Sequence, residues 1–94
     1  MPQDDWESVS YVFSSDVRTR VLEALCTQRA TPTQIGKKLN QPLSHISRAL
    51  RELHSKQLVV ILTPHRTKAR LYEATEQGRQ VLEKVRALRG GEKR

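Results

Sequence analysis

Cysteine and aromatic residues are scarce in this chain of 94 residues, which has one cysteine and 4% aromatic residues. A single cysteine, Cys26, excludes an internal disulfide. With so few aromatic rings, the core must be built mainly of Leu, Val and Ile. Cys26 ends an apolar helix face, so we expect a buried small hydrophobe there, with a redox-sensing thiol as the alternative.

Long apolar runs are also missing, and none approaches the ~20 residues that a membrane-spanning helix needs. The N-terminus is acidic and polar, unlike a secretion signal. We therefore expect a soluble cytoplasmic protein without a membrane partner. A length of 94 residues suits one domain, residues 1–94, with a single modest core.

The residue patterns of metal sites and enzymes are missing as well. His45, His54 and His65 fall on three different elements, and no two Cys or His residues have metal-ligand spacing. There is no glycine-rich phosphate loop, and nothing suggests a triad of Ser, His and an acid. The sequence thus predicts no metal, no cofactor and no enzymatic activity, and it shows no recognisable effector pocket.

Positive charge is what the chain has in excess, with a net charge of +7 and a pI near 10.2. Residues 44–70 contain six Lys and Arg residues but only one acidic residue. A polyanionic partner explains this clustering, because the charge coincides with the two-helix motif described next. A basic surface that only aids solubility is the alternative, but such a surface would not need to cluster there.

Two short helices joined by a tight turn are predicted in the centre of the chain. The first, residues 32–39, begins with Thr31 as N-cap, Pro32 in the first turn and Gln34 completing a capping box. Pro42 then ends it, since the residue before a proline avoids the α conformation.

The second helix, residues 43–56, has an apolar side and a polar side. Its Leu and Ile residues recur at spacings of three, four and three, which indicates one buried stripe. The stripe comprises Leu43, Ile46, Leu50 and Leu53, and the opposite side carries Ser44, His45, Ser47, Arg48 and Arg51.

This layout is a helix-turn-helix, whose second helix offers the groups that the major groove of DNA requires. Arg48 and His45 are predicted to read base edges, where arginine can bridge the two acceptors of guanine. Ser44 and Ser47 would contact bases or phosphates. Arg51 lies farther along the helix and would pair with a phosphate.

A β-hairpin wing, residues 58–74, is predicted after the motif. The β-branched run 58–63 predicts a strand that Pro64 ends, and RLYEA forms the second strand, with Leu71 inward and Tyr72 outward or the reverse. Its basic side chains would reach phosphates or a narrow minor groove, with a solvated tip as the alternative. The predicted DNA contacts outside the second helix are Thr33, Arg66, Lys68 and Arg70.

Two helices are predicted before the motif, at residues 4–13 and 15–28. An alternating apolar pattern in residues 4–13 also fits a strand, but we favour the helix. Ser15 would cap the second of these helices, and its Arg18 and Arg20 are expected to face solvent.

A last helix, residues 76–89, is predicted after the wing. Thr75 would cap it, and Gly78 suggests a close backbone approach because glycine costs about 1 kcal/mol in a helix. Gly90 would end it and leave residues 90–94 as a tail. Its apolar stripe is either intramolecular core or part of a dimer interface, which would comprise Trp6, Phe13, Val81, Leu82, Val85 and Leu88.

The order of these motifs resembles a known group of proteins. The run LSHISRALRELHSKQLV, followed by a strand, a basic loop and RLYEATEQGRQVL, is similar over residues 6–89 to winged helix-turn-helix transcriptional regulators of the MarR and ArsR groups, most of all to small archaeal ones. The resemblance implies a mainly α fold with a small β-hairpin and four to five helices. It implies a regulator that binds double-stranded DNA and represses transcription. A homodimer that reads a palindrome is expected on geometric grounds, because half-sites about one helical turn apart suit a two-fold protein. Such a protein would be nucleoid-associated. The cysteine clusters of ArsR-type metal sensors are absent from the sequence.

Two other functions fit the same fold. A winged-helix module can bind protein within a transcription or replication assembly, although no apolar patch is evident on the polar side of the second helix. A non-specific DNA or RNA binder fits the charge, but single-strand binders use stacked aromatic rings, and only Tyr72 accompanies the basic residues. The sequence favours specific binding of duplex DNA.

Overall fold

The computed structural model describes residues 5–93, with side chains described for residues 6–90. Within that part of the chain, five helices and a two-stranded hairpin confirm the mainly α fold with a small wing. The elements are α1 (Asp5–Phe13), α2 (Asp16–Thr27), α3 (Pro32–Leu39), α4 (Leu43–Ser55), β1 (Val59–Ile61), β2 (Tyr72–Ala74) and α5 (Glu76–Lys93).

The first two helices form as the sequence predicts, and α1 is helical rather than extended. Residue 4, the first of the predicted helix, lies outside the described residues. Ser15 caps α2 by accepting a hydrogen bond from the backbone N–H of Arg18 at 3.2 Å. Val9 and Val12 are fully buried, so α1 docks on its own domain through an apolar face.

One aliphatic core lies between the helices and the base of the hairpin. Leucine, valine and isoleucine dominate it, as the shortage of aromatic rings predicts. Among residues 6–90, every buried side-chain nitrogen or oxygen atom has a hydrogen-bond partner. The core therefore stabilises the fold by apolar burial without leaving polar side-chain atoms unpaired.

The hairpin is short and has an additional partner. Strands β1 and β2 pair antiparallel, with Val59 opposite Ala74 and Ile61 opposite Tyr72. Ala30, just before α3, also pairs with Tyr72 through backbone hydrogen bonds of 3.1 and 2.9 Å. The Tyr72 side chain is half-buried and packs against the core, which settles the orientation that the sequence left open.

Helix α5 starts where predicted but extends further. The backbone N–H of Gly78 donates to the Thr75 hydroxyl at 3.0 Å, which confirms Thr75 as the N-cap. The predicted end at Gly90 is wrong, because the helix continues to Lys93. Glycine costs about 1 kcal/mol in a helix but can adopt the helical backbone conformation, so it need not end a run of helix formers. Neither α5 nor any other helix in residues 5–93 combines the length and apolarity needed to cross a membrane.

Helices α1 and α5 pack against each other and carry the residues predicted for a dimer interface. The prediction is wrong for Val81, Leu82 and Val85, which are at most 3% exposed and belong to the core of their own chain. A side chain buried in this way has no surface left for a second subunit. The other three residues predicted for the dimer interface keep exposed surface, namely Trp6 (63%), Leu88 (41%) and the half-buried Phe13.

Candidate nucleic-acid interface

The turn between α3 and α4 determines how the second helix is presented. Helix α3 begins with the predicted capping box, in which the Gln34 N–H donates to the Thr31 hydroxyl at 3.3 Å and the Thr31 N–H donates to the Gln34 side chain at 2.9 Å. It ends at Asn40, whose φ of 57° is left-handed, and the Gln41 N–H donates to the Gly36 carbonyl at 3.0 Å. This closing motif redirects the chain within one turn, so α4 can begin immediately afterwards.

Helix α4 buries a shorter stripe than predicted. Ile46, Leu50 and Leu53 are at most 1% exposed, and Ala49 is 3% exposed beside them. The prediction that Leu43 belongs to this stripe is wrong, since 52% of it is exposed. Residue 43 is the first residue of the helix and lies almost one turn before Ile46, where the buried part of α4 begins.

The five polar residues of α4 that were predicted to contact DNA are all exposed. Residues three or four apart share a face of a helix, which divides the five between two edges. Ser47 and Arg51 lie along the edge nearer the wing, whereas His45 and Arg48 lie along the edge nearer α2. Ser44 is three residues before Ser47 and four before Arg48, so it lies between the two edges.

A groove of about 450 Å³ separates α4 from the wing. Ser47 and Arg51 line it from α4, and Thr67 and Arg70 line it from the wing. His54, three residues after Arg51, lines it too. The groove thus gathers cationic and hydroxyl side chains from two distant parts of the sequence, which suits contacts with phosphates.

On the other edge of α4, His45 and Arg48 border a recess of about 240 Å³ together with Glu52. Glu52 is the only acidic residue in 44–70. Its carboxylate accepts a hydrogen bond from Nε of Arg18 at 2.9 Å, in an ion pair between α2 and α4. Arg18 therefore offsets the one negative charge of α4.

The prediction that Arg18 faces solvent is wrong. Only 18% of its side chain is exposed. The guanidinium lies 3.8 Å from the centroid of the Tyr11 ring and donates a hydrogen bond to the Tyr11 carbonyl at 2.7 Å. Arg18 therefore joins α1, α2 and α4, and it helps to fix the position of the helix that carries Arg48.

Replacing Arg18 with methionine (Arg18→Met) should lower the free energy of unfolding by about 1–3 kcal/mol, because the Glu52 carboxylate and the Tyr11 carbonyl lose their donor. Arg20→Met is the matched control. Arg20 is more exposed and lies 3.8 Å from Asp16, so a change within about 0.5 kcal/mol is expected. Urea unfolding followed by circular dichroism measures both. Equal effects of the two substitutions would contradict the bridging role of Arg18.

The loop of the wing is closed by its own hydrogen bonds. Thr63 accepts from the Arg66 N–H through its carbonyl and from the Leu71 N–H through its hydroxyl, both at 3.0 Å. The guanidinium groups of Arg66 and Arg70 donate to backbone carbonyls within the same loop. Arg66 and Lys68 are exposed, while Arg70 is half-buried at the groove. Two of the predicted wing cations thus lie on the exposed loop, and the third borders the groove.

Thr33, predicted to touch a phosphate from α3, is exposed. It borders a recess of about 530 Å³ together with Lys37, Gln41 and Leu43. Lys37 was not among the predicted contacts, although its position one turn after Thr33 places the two on the same helix face. His54 was not among them either, although its spacing of three from Arg51 was a usable signal.

Cys26 lies half-buried beside α5. Burial raises the pKa of its thiol above the ordinary value of 9.0, although the positive charges of Arg79 and Arg86 partly offset this. A thiol with a raised pKa stays protonated at neutral pH and reacts poorly, which favours a structural role. Within the described residues, no group of three His, Cys, Asp or Glu side chains is arranged to hold a metal ion.

A family model described as "HVO_A0261 N-terminal domain" matches residues 6–93. No curated protein matches the chain in sequence.

Solved structures of transcription regulators share the fold. The MarR family transcription regulator SP03579 has a TM-score of 0.75 and 25% identity, covering 92% of this chain and 61% of that one. The transcriptional regulator BldR from Sulfolobus solfataricus has a TM-score of 0.71 and 25% identity, covering 81% and 56%. A mutant of MarR from E. coli, complexed with operator DNA, has a TM-score of 0.71 and 26% identity, covering 89% and 64%. The chain thus spans about three fifths of the length of these structures, and its winged helix-turn-helix fold is MarR-like, as the order of motifs predicted.

Proposed function

The chain belongs to the HVO_A0261 N-terminal domain family, and we propose that it is a sequence-specific DNA-binding transcription regulator that acts as a homodimeric repressor at the nucleoid. One observation carries the proposal. The five polar and cationic side chains of α4 that were predicted to contact DNA are exposed, and Ser47 and Arg51 share one groove with Arg70 of the wing. A DNA duplex carries phosphates on both sides of the groove that a helix enters, so both elements would contact it together.

Each predicted contact residue has a role in this proposal. Arg48 and His45 read base edges in the major groove, and Ser44 and Ser47 contact bases or phosphates. Arg51 binds a phosphate in the groove between α4 and the wing. The remaining phosphate contacts come from Thr33 in α3 and from Arg66, Lys68 and Arg70 in the wing. The MarR mutant complexed with operator DNA is a protein of the same fold in contact with duplex DNA.

The homodimer is supported by apolar surface on α1 and α5. Trp6 and Leu88 are 63% and 41% exposed, and Phe13 is half-buried. A two-fold dimer would present two copies of α4 to half-sites about one turn of DNA apart. Light scattering at micromolar concentration measures the molar mass. The mass of one chain would contradict the dimer but would leave DNA binding open to its own test.

Selection of bound duplexes from a random pool tests specific recognition. Recovered sites should share a motif with a two-fold repeat, and random duplex should compete with it at least ~1,000-fold less well. Equal competition by random duplex would instead indicate a non-specific binder. Absence of duplex binding at low salt would favour a module that binds protein.

Lys68→Ala should weaken binding to the selected site and to random duplex by the same factor. Lys68 is exposed on the loop of the wing, and a phosphate contact carries no sequence information. The slope of log K against log salt should fall in magnitude by about 1, because one counterion fewer is released. Arg86→Ala is the control. Arg86 lies on α5 and pairs with Glu23 at 3.0 Å, so the slope should stay unchanged. An unchanged slope for Lys68→Ala would remove that residue from the interface.

A further inference from the structure

Leu43 is an exposed leucine at a position where the sequence predicts a buried one. Four large apolar side chains stand out as exposed in the described residues. Trp6 and Leu88 belong to α1 and α5, and Val60 belongs to the hairpin. Leu43 is the one on α4, and 52% of it is exposed.

The position of Leu43 places it among the groups proposed to contact DNA. It is the first residue of α4 and follows Pro42, which contributes no side-chain cap. It shares a helix edge with Ser47, four residues later. It also borders the recess that Thr33 and Lys37 line from α3. Leu43 therefore lies at the N-terminal end of α4, between candidate base contacts on α4 and candidate phosphate contacts on α3.

The side chains around Leu43 argue against a protein as its binding partner. Isolated exposed leucines are common and need no partner, whereas protein-binding surfaces present contiguous apolar patches. Apart from the adjacent Pro42, the exposed side chains around Leu43 are polar or cationic, including Ser44, Ser47 and Lys37. In the major groove, by contrast, a single apolar group has a defined counterpart, because the C5-methyl group of thymine is the apolar feature on the base edges.

We propose that Leu43 contacts the C5-methyl group of a thymine and makes thymine the preferred base at one fixed position in each half-site. This inference rests on the proposed function and adds a specificity-determining residue to it. Serine, histidine and arginine can read hydrogen-bonding groups, but none of them offers a comparable apolar surface to a methyl group. Leu43 supplies that surface at the end of α4 that enters the groove first.

Single replacements of thymine by deoxyuridine test the proposal, because each removes one methyl group and leaves every hydrogen-bonding group in place. The probe is the duplex selected from the random pool, titrated in gel shifts with each thymine replaced in turn. For the wild-type protein, one position in each half-site should lose affinity by about fourfold, the factor expected for one buried methyl group. Leu43→Ala should bind the unmodified duplex more weakly and should respond to none of the replacements.

Val60→Ala is the matched control for the loss of an exposed apolar side chain. Val60 is 39% exposed on β1, and its paired residue Glu73 forms an ion pair with Arg29 on the outside of the hairpin. This variant should keep the wild-type response to deoxyuridine. Thermal unfolding of both variants should stay close to that of the wild type, because neither side chain is buried.

The outcomes separate the inference from the function on which it rests. A selected motif without thymine, or one in which deoxyuridine is harmless for the wild-type protein, overturns the role of Leu43 and leaves specific DNA binding standing. A fourfold loss that persists in Leu43→Ala assigns the methyl contact to another residue and also overturns the role of Leu43. Failure to select any motif overturns both proposals together.

Discussion

Replacing Gly78 with alanine is expected to destabilise the protein by about 2 kcal/mol. An added β-carbon would overlap the carbonyl oxygen of Leu58 and lie 3.3 Å from a methyl group of Leu22. That carbonyl is held in place, since it accepts the Thr75 N–H at 3.0 Å where the hairpin meets α5. Overpacking costs about 1–3 kcal/mol or more, and the helix preference of alanine, worth about 1 kcal/mol, offsets only part of it.

Gly90→Ala is the matched control within the same helix. A β-carbon at Gly90 would meet no atom within 4 Å, so only helix propensity changes and a gain of up to about 1 kcal/mol is expected. Thermal unfolding measures both variants, and 2 kcal/mol should lower the melting temperature by about 8–16 °C in a domain of this size. If Gly78→Ala unfolds at or above the wild-type temperature, the contact with Leu58 is not as close as described.

Arg48→Ala should weaken binding to the selected duplex by about 1–3 kcal/mol, or roughly 5- to 150-fold, and should relax the preference at one base pair. The reason is that arginine can bridge two acceptors of guanine, and alanine leaves them unpaired. Binding to random duplex should fall by a smaller factor, because only a charge is lost there. Gel-shift titrations of both duplexes at one fixed salt concentration measure the difference.

Arg48→Lys separates the reading of a base from the effect of charge. Lysine keeps the positive charge but lacks the planar fork of the guanidinium group. The variant should therefore bind random duplex like the wild type and discriminate poorly at the same base pair. Because Arg48 is exposed, its substitutions should change the free energy of unfolding by no more than about 0.5 kcal/mol. Unchanged affinity of Arg48→Ala for the selected site would show that Arg48 reads no base.

The helix-turn-helix could be predicted because its signals are local. Thr31 and Gln34 form a capping box from residues three apart, and proline marks the turn that follows. The spacing of Ile46, Leu50 and Leu53 determines which side of α4 is buried, and hence which side is exposed. Such features depend on neighbours within one or two turns, so the order of residues alone reveals them.

Features that depend on distant residues could not be predicted in this way. Arg18 and Glu52 are 34 residues apart, and no spacing rule connects an arginine on α2 with an acid on α4. The pairing of Ala30 with Tyr72 likewise arises only when the hairpin packs beside α3. At Leu43, periodicity correctly described the helix but could not show where the core stops along it.

The exposure of the arginine, histidine and serine side chains on α4 followed from the period of the helix. Their division between two edges did not, since it depends on where α2 and the wing lie. The position of Arg70 could not be predicted either, for the same reason. The sequence grouped it with Arg66 and Lys68 as a basic side chain of the wing, yet the loop folds back so that Arg70 borders the groove beside Arg51.

The wing is anchored to the rest of the protein at its base. Val59 and Ala74 are paired and buried there, whereas residues 64–69 are all exposed. The hydrogen bonds described for the loop join residues 63–71 to one another. Substitutions and short insertions between residues 64 and 69 should therefore cost the fold little. Evolution, or an engineer, can alter the proposed phosphate contacts there while leaving the hydrophobic interior and the exposed side of α4 as they are.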